Sequence, residues 1–485
     1  MKSMKSSNVG IVGAGIGGLS AGMRLSKQGY QVDIFEKLSC PGGRNNMLED
    51  AGFKFDMGPS FILMPDFFEE LFSSCGEKLS DHIKLACLDP SYKIFYSDGD
   101  CLTVHQDSAK TKQEIERFEP GASSGFDGFI RETSRIYDHL RPLLGKSFTY
   151  ADVINPEYWP LLLQIRPFES YWQLAKRFFK SEKLCYAFTF EAMFMGVSPF
   201  EAPAFYSIIS YADHVQKIFH PMGGMYQLPL VLERLCKKFG CRFHYDTEVN
   251  SIASQDNGIA LEYSGSKKVF DNVVVNADYA YAQSKLLGRR IPRYRYSCSV
   301  YLLYLGLKKK VKGVAHHNLF FARDLRKNLS DIFKNDTVPM DPSFYVHVPT
   351  VTDQSLAPEG KDIFYILVPV PNLERSQDGF APHEAALRKT VFENINRQIG
   401  IDLEDLIEVE HRFYPKDFIG RYNIKNGATF GLSHNLTQSA FFRPANFDHK
   451  IKRLFYVGAS TQPGGGLPVV IAGSGITAGL LSRGV

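Results

Sequence analysis

Residues 8–60 constrain the fold more than any other part of the chain. Val9-Gly10-Ile11-Val12 reads as a short buried strand, and Gly13-Ala14-Gly15-Ile16-Gly17-Gly18 after it satisfies G-x-G-x-x-G. Each glycine has its own task. Gly13 permits a tight turn, Gly15 lets backbone approach a pyrophosphate, and Gly18 allows the next helix to pack closely on the sheet. The spacing predicts that helix over residues 17–28, with Leu19, Met23 and Leu25 on one side and Gly29 as its left-handed cap. A second strand, Gln31 to Phe35, leads to Glu36, the acid that such a unit aims at ribose hydroxyls. A lone glycine fingerprint is weak. Strand, turn, helix, strand and acid in this order make a βαβ dinucleotide-binding unit.

The fingerprint alone fits NAD or FAD. After Glu36 come Gly42-Gly43-Arg44 and then Asp56-Met57-Gly58-Pro59-Ser60. An acid followed by Gly-Gly-Arg resembles the glutathione-reductase-type flavoproteins related to amine oxidases. The resemblance implies FAD, with Gly43 and Arg44 against its diphosphate and ribityl chain. Lys37, Gly58, Pro59 and Ser60 join the expected cofactor-binding set. Bare amides and a guanidinium suit a pyrophosphate.

A second glycine-rich stretch lies near the other end. Leu454 to Val457 reads as a buried strand, 458–466 as a crossing rich in glycine, and Leu467-Pro468-Val469 as the start of a helix lined by small residues. Amides at such a start face developing negative charge. Paired with the N-terminal motif, this tail resembles that of the bacterial phytoene-desaturase-type carotenoid desaturases, Gly-Ala-x-x-x-Pro-Gly-x-Gly-x-Pro. Phe55 to Ser60, Pro221-Met222-Gly223-Gly224-Met225 and Asn276-Ala277-Asp278 agree as well. Met64-Pro65-Asp66, Tyr206-Ser207-Ile208-Ile209, Tyr296-Ser297-Cys298-Ser299 and Ser355 to Lys361 are similar to the branch acting on C30 dehydrosqualene (4,4'-diapophytoene). The resemblance adds Gly458, Ala459, Gly466, Leu467 and Val469 to the cofactor set, and Val249 as a backbone partner of adenine. Gln462 departs from the pattern, since many relatives carry His there.

The expected fold is α/β: a glutathione-reductase-type, FAD-binding Rossmann domain interleaved with a mixed-sheet substrate domain and a helical lobe, as in amine oxidases. The expected FAD-binding segments are 8–60, 221–289 and 421–485. The substrate sheet is expected from 61–110 and 290–420, and the helical lobe from 111–220. A helix near 225–239 and strands near 242–253, 258–263 and 271–275 are expected. Ser299 to Leu307 and Ile363 to Val370 are taken as strands of a sheet with one covered face. Tyr150, Tyr158, Trp159, Leu161 to Leu163, Phe168, Tyr171, Trp172, Phe178 and Phe179, fringed by Lys176, Arg177, Lys180 and Lys183, suit a helix in a lipid headgroup layer. They suit the core of an ordinary helical lobe equally well.

The implied activity is FAD-dependent desaturation of a long acyclic carotenoid precursor, with an apolar polyene drawn from a membrane and a quinone or oxygen as terminal acceptor. Carotenoid oxygenases of terminal methyl groups, isomerases, saturases, amine oxidases and non-catalytic prenyl-binding chaperones share the fold and stay open. No catalytic residue is assigned; Asp152, Glu191 and Asp213 are unranked proton acceptors. His316-His317 is set aside as a metal site, because strand neighbours face opposite ways and no third ligand motif follows. With a net charge of +4 and no long basic run, nothing calls for nucleic acid. The eight cysteines include no C-x-x-C pair, there is no secretory h-region, and no stretch of about 18 apolar residues runs unbroken. A cytoplasmic protein associated peripherally with membrane is the expectation.

Overall fold

The structure is a computed structural model that describes residues 7–149, 152, 155–374 and 379–484, without the side chains of Leu162 and Leu163. The fingerprint folds as its spacing requires. Strand Asn8–Val12 feeds helix Ile16–Lys27, and strand Gln31–Phe35 returns parallel to the first. Gly13 sits at φ +98°, a left-handed turn that a side chain would strain. At Gly18 a Cβ would stand 2.1 Å from the Gly13 carbonyl oxygen, so helix and strand meet only because no side chain intervenes.

Five parallel strands make one sheet, in the order Leu454–Tyr456, Asn272–Val275, Asn8–Val12, Gln31–Phe35 and Arg242–His244. The C-terminal strand therefore lies two places from the first. Helix Leu467–Arg483 then packs against helix Ile16–Lys27, with Gly475 facing the Arg24 guanidinium. The expected strand near 242–253 is two strands, Arg242–His244 and Val249–Gln255. The second belongs to a separate three-stranded antiparallel sheet.

A seven-stranded sheet stands apart from the first. Its order is Ile407–Phe413, Ser299–Leu307, Asp362–Val370, Phe344–His347, His317–Phe320, Tyr92–Phe95 and Cys101–Val104, antiparallel except where His317–Phe320 runs with Tyr92–Phe95. The expectation of one covered face was wrong. All nine residues of Ser299–Leu307 are buried. Val300, Leu302 and Tyr304 join the main core. Tyr301, Leu303, Leu305 and Leu307 pack in a second core with Leu387, Val391 and Ile395 of helix Glu384–Ile399. Helix Pro65–Ser74 precedes the strands expected at 61–110.

Among the described residues of 108–216 the structure is mainly helical, from the 19-residue helix Ala122–Leu140 to several of three to nine residues. The aromatic segment expected at a membrane divides in two. Tyr171, Trp172 and Phe179 are buried, and Phe178 packs on Phe129 with ring centroids 5.9 Å apart. Trp159 is 57% exposed and Phe168 87%. Part of the basic fringe has acidic partners: Lys183 lies 2.5 Å from Asp98 and Asp100, and Arg177 3.6 Å from Glu169. Tyr150 lies outside the described residues. Among those described, no helix is long and apolar enough to cross a membrane.

Candidate functional site

A cavity of about 540 Å³ runs from the fingerprint to the seven-stranded sheet and the helical lobe. Of the residues expected to bind cofactor, Gly13, Gly15, Glu36, Lys37, Gly43, Arg44 and Gly58-Pro59-Ser60 line it from the N-terminal side. Val249 lines it from the three-stranded sheet, and Gly458, Ala459, Gly466, Leu467 and Val469 from the tail. Gly18 is not on the wall; it lies behind, where its lack of a side chain lets the helix approach Gly13.

Two helices start at this cavity, after Gly15 and after Gly466, and neither has a side-chain cap. Their first-turn amides are left for an anionic or carbonyl-bearing ligand to satisfy. At the first helix, Glu36 accepts from the Ala14 amide (2.8 Å) and the Leu38 amide (2.9 Å). Burial lifts its carboxyl above the ordinary range, and those amides pull back. Arg44 donates to the Thr429 carbonyl at 2.7 Å. Burial lowers the Arg44 guanidinium from its usual value, and the nearby Asp278 charge counters. A pyrophosphate arriving here meets bare amides and a half-buried cation, the donor set that FAD requires.

The tail crossing is held by side chains that sequence reasoning missed. His434 accepts the Gly465 amide on Nε2 (3.0 Å), so Nδ1 carries the proton that it donates to the Met195 carbonyl (3.1 Å). Burial first, then the Arg443 charge, keep this imidazole neutral. Arg443, fully buried, donates to the carbonyls of Gln438, Leu432 and Ala459 at 3.0, 3.2 and 2.5 Å. Gln462 does not line the cavity. Its amide pairs with the backbone of Phe148 in both directions, at 2.7 and 3.0 Å, which ties the helical lobe to the tail.

Away from the two helix starts the walls are apolar: Phe61, Leu63, Phe190, Phe194, Val300, Leu302, Leu319 and Leu367. Three tyrosines share this wall, and each spends its hydroxyl inward. Tyr206 bonds Ser439 (2.7 Å), Tyr345 bonds Ser60 (2.8 Å) and Tyr365 bonds the Gly58 carbonyl (3.3 Å). The wall thus asks little of a polar ligand. The carboxylates lining the cavity among the described residues are Glu36 at the fingerprint, Glu248 beside the three-stranded sheet and Asp278 after strand Asn272–Val275. Asp152, Glu191 and Asp213 do not line it. Asp152 accepts from Thr149 at 2.7 Å. Glu191, buried in the helical lobe, accepts from Ser210 (2.9 Å) and Tyr171 (3.1 Å), while Asp213 is buried near it. Burial raises both carboxyls, and the Glu191 charge pushes Asp213 up further.

The pair His316-His317 does have further partners. His347 and His220 complete a buried group with His316, whereas His317 turns to the Tyr345 hydroxyl at 2.7 Å. His316 lies just outside the strand, so the opposite-face rule did not apply to it.

Comparison with known proteins agrees with this geometry. The chain matches the family described as flavin containing amine oxidoreductase over residues 16–478. It is 40% identical over 473 residues to a zeta-carotene-forming phytoene desaturase of Myxococcus xanthus, covering 95% of this chain and 91% of that one. A 4,4'-diapophytoene desaturase (4,4'-diaponeurosporene-forming) of Staphylococcus haemolyticus is 34% identical over 489 residues, 97% of each chain. Among solved structures, cyclohexylamine oxidase from Brevibacterium oxydans superposes with a TM-score of 0.63 at 14% identity over 99% of both chains. An oxidoreductase from Methanosarcina mazei gives 0.63 at 15% identity, over 96% of this chain and 98% of that one. With two uncapped helices facing a glycine-lined cavity and a match along nearly the whole chain, the protein belongs to the flavin-containing amine oxidoreductase family and is an FAD-dependent oxidoreductase.

Proposed function

We propose that the protein desaturates a long acyclic carotenoid precursor, phytoene or dehydrosqualene, and passes the electrons on to a quinone or oxygen. The observation that carries this reading is the cavity itself. One part offers amides and a cation to a dinucleotide; the other is a hydrocarbon wall whose tyrosines are already satisfied. When bound, FAD supplies the hydride acceptor for removal of an allylic hydrogen. Gly13, Gly15, Glu36, Lys37, Gly43, Arg44, Gly58, Pro59, Ser60 and Val249 hold it in this reading, with Gly458, Ala459, Gly466, Leu467 and Val469 at the tail. The segments 8–60, 221–289 and 421–485 form its binding unit. Phe61, Phe194, Leu302 and Leu367 position the polyene and exclude water. Expression in hosts that accumulate either precursor tests the assignment. New conjugated double bonds, seen as visible absorbance and loss of hydrogen by mass, are expected from at least one. No change in either precursor, with oxygen added only to a preformed carotenoid, overturns it.

A polyene of this size partitions into bilayers, so the enzyme must meet a membrane. Trp159 and Phe168 support docking there: they are the exposed aromatics among the described residues of that segment, and Tyr158 meets edge-on the ring of Phe148, the residue clamped by Gln462. Interfacial aromatics contribute through buried apolar area. Trp159→Glu with Phe168→Glu is expected to cut co-sedimentation with phospholipid vesicles about tenfold, since a loss of about 1.4 kcal/mol suffices. Unchanged binding rejects this surface as the docking face.

A further inference from the structure

His220, His316 and His347 come from three distant segments. His220 lies in strand Phe219–Pro221, which pairs with Leu85–Cys87; His316 precedes strand His317–Phe320; His347 ends strand Phe344–His347. All three are buried, at no more than 2% exposure. One ring nitrogen from each lies within 4.8 Å of the others, and Nε2 of His316 and Nε2 of His347 are 2.9 Å apart.

A simple hydrogen-bonded cluster accounts for two of these rings and leaves the third unexplained. His316 is held through Nδ1 by the Thr352 hydroxyl (2.8 Å), which frees Nε2 to face His347. His220 has no hydrogen-bond partner on either ring nitrogen, though fully buried. Its Nε2 stands 3.6 Å from Asp353 Oδ2, beyond hydrogen-bond reach. That carboxylate oxygen already accepts the Gly223 amide at 2.5 Å. Leaving two buried ring nitrogens unpaired is costly unless something else binds them.

We propose that His220, His316 and His347 form a binding site for one zinc-class divalent metal ion, fastening the Phe219–Pro221 strand to the seven-stranded sheet. Tetrahedral ligation at about 2.0–2.1 Å places ligand nitrogens about 3.3 Å apart. The 2.9 Å pair, His316 and His347, must open by a few tenths of an ångström, and separations that reach up to 4.8 Å must close by as much as about 1.5 Å, a shift within the range of ring rotation. Imidazole nitrogens without thiolates suit borderline metals such as Zn2+ and Co2+, not Mg2+ or Ca2+. Thr352 stands where an outer partner fixes the orientation of the His316 ring. None of the three histidines lines the large cavity, so the ion has a structural role, distinct from the flavin site.

Titration with Zn2+ against a coloured chelator, on flavin-loaded protein first stripped with EDTA, tests this. About one Zn2+ per chain is expected, with a dissociation constant below about 1 µM and a rise in melting temperature on binding. His347→Gln is expected to weaken binding by ~100-fold or more, and Thr352→Val by ~10-fold. Co2+ in the site is expected to give tetrahedral d–d bands without a thiolate charge-transfer band, which separates it from the free cysteines. Wild-type protein that binds no Zn2+ in this range overturns the proposal, as does equal binding by wild type, His347→Gln and Thr352→Val. Neither result touches the flavin reading, because flavin content is measured separately in the same samples.

Discussion

Gly15→Val is expected to yield folded protein that has lost its yellow colour, with affinity for FAD reduced by ~100-fold or more. The reason is space, not backbone strain. Gly15 has φ −71° and ψ 174°, a conformation open to any residue. A Cβ there would meet Asn276 Nδ2 at 2.8 Å, and its next neighbours are no nearer than 3.9 Å. The amide of Asn276 can swing aside, giving up a 3.3 Å hydrogen bond to the Gly13 carbonyl, so the chain tolerates the change. A branched side chain would nevertheless stand on the cavity wall beside the uncapped helix start, where a pyrophosphate must approach. Flavin-to-protein ratios after purification in excess FAD, with circular dichroism as a check on folding, measure the effect. Gly18→Ala provides the contrast: its Cβ would lie 2.1 Å from backbone, so folding itself is expected to suffer. Full flavin retention by the Gly15→Val protein contradicts this account of the site.

Arg443→Ala is expected to lower stability by about 3–5 kcal/mol and to release flavin as the tail loosens. The side chain is wholly interior, and burial pulls its guanidinium down to about 10. At about 10 it still carries its charge at neutral pH, and three carbonyls accept its protons. Truncation would leave those oxygens without a donor and open a cavity of arginine size. One of them belongs to Ala459, on the wall of the large cavity, so damage at Arg443 reaches the cofactor directly. Arg443→Lys supplies the charge without the planar fork and should recover only part of the loss. Urea unfolding followed by far-UV signal, and flavin fluorescence on the same samples, give both readouts.

The parts legible in the sequence were those whose signals are local. The βαβ unit announces itself within residues 9–36, because turn, helix and acid follow one another at fixed spacing. The tail announces itself through consecutive glycines and Pro468. What escaped depends on distant partners. Arg443 looks like any surface arginine until Gln438, Leu432 and Ala459 close around it. His220 is nearly a hundred residues from His316, so no spacing rule could join them. The pattern of Ser299–Leu307 predicts a strand with one covered face; the helix that covers the other face begins at Glu384, far along the chain. The aromatic segment shows a further limit. Composition groups Trp159 with Trp172, but only packing reveals that Trp172 lies against Tyr186 and Phe200 while Trp159 faces outward. Gln462 is similar: its amide pairs with Phe148, a backbone partner that no motif names.

In the proposed reaction a hydrocarbon chain and FAD share one cavity, where a hydride passes from the chain to the flavin. Anaerobic mixing of flavin-loaded protein with phytoene or dehydrosqualene in liposomes tests it most directly, because no other acceptor is present. Bleaching of oxidised-flavin absorbance is predicted, with one double bond formed per flavin reduced and colour restored by a quinone or air. Flavin that stays oxidised with both precursors, in vesicles the protein demonstrably binds, would contradict the account.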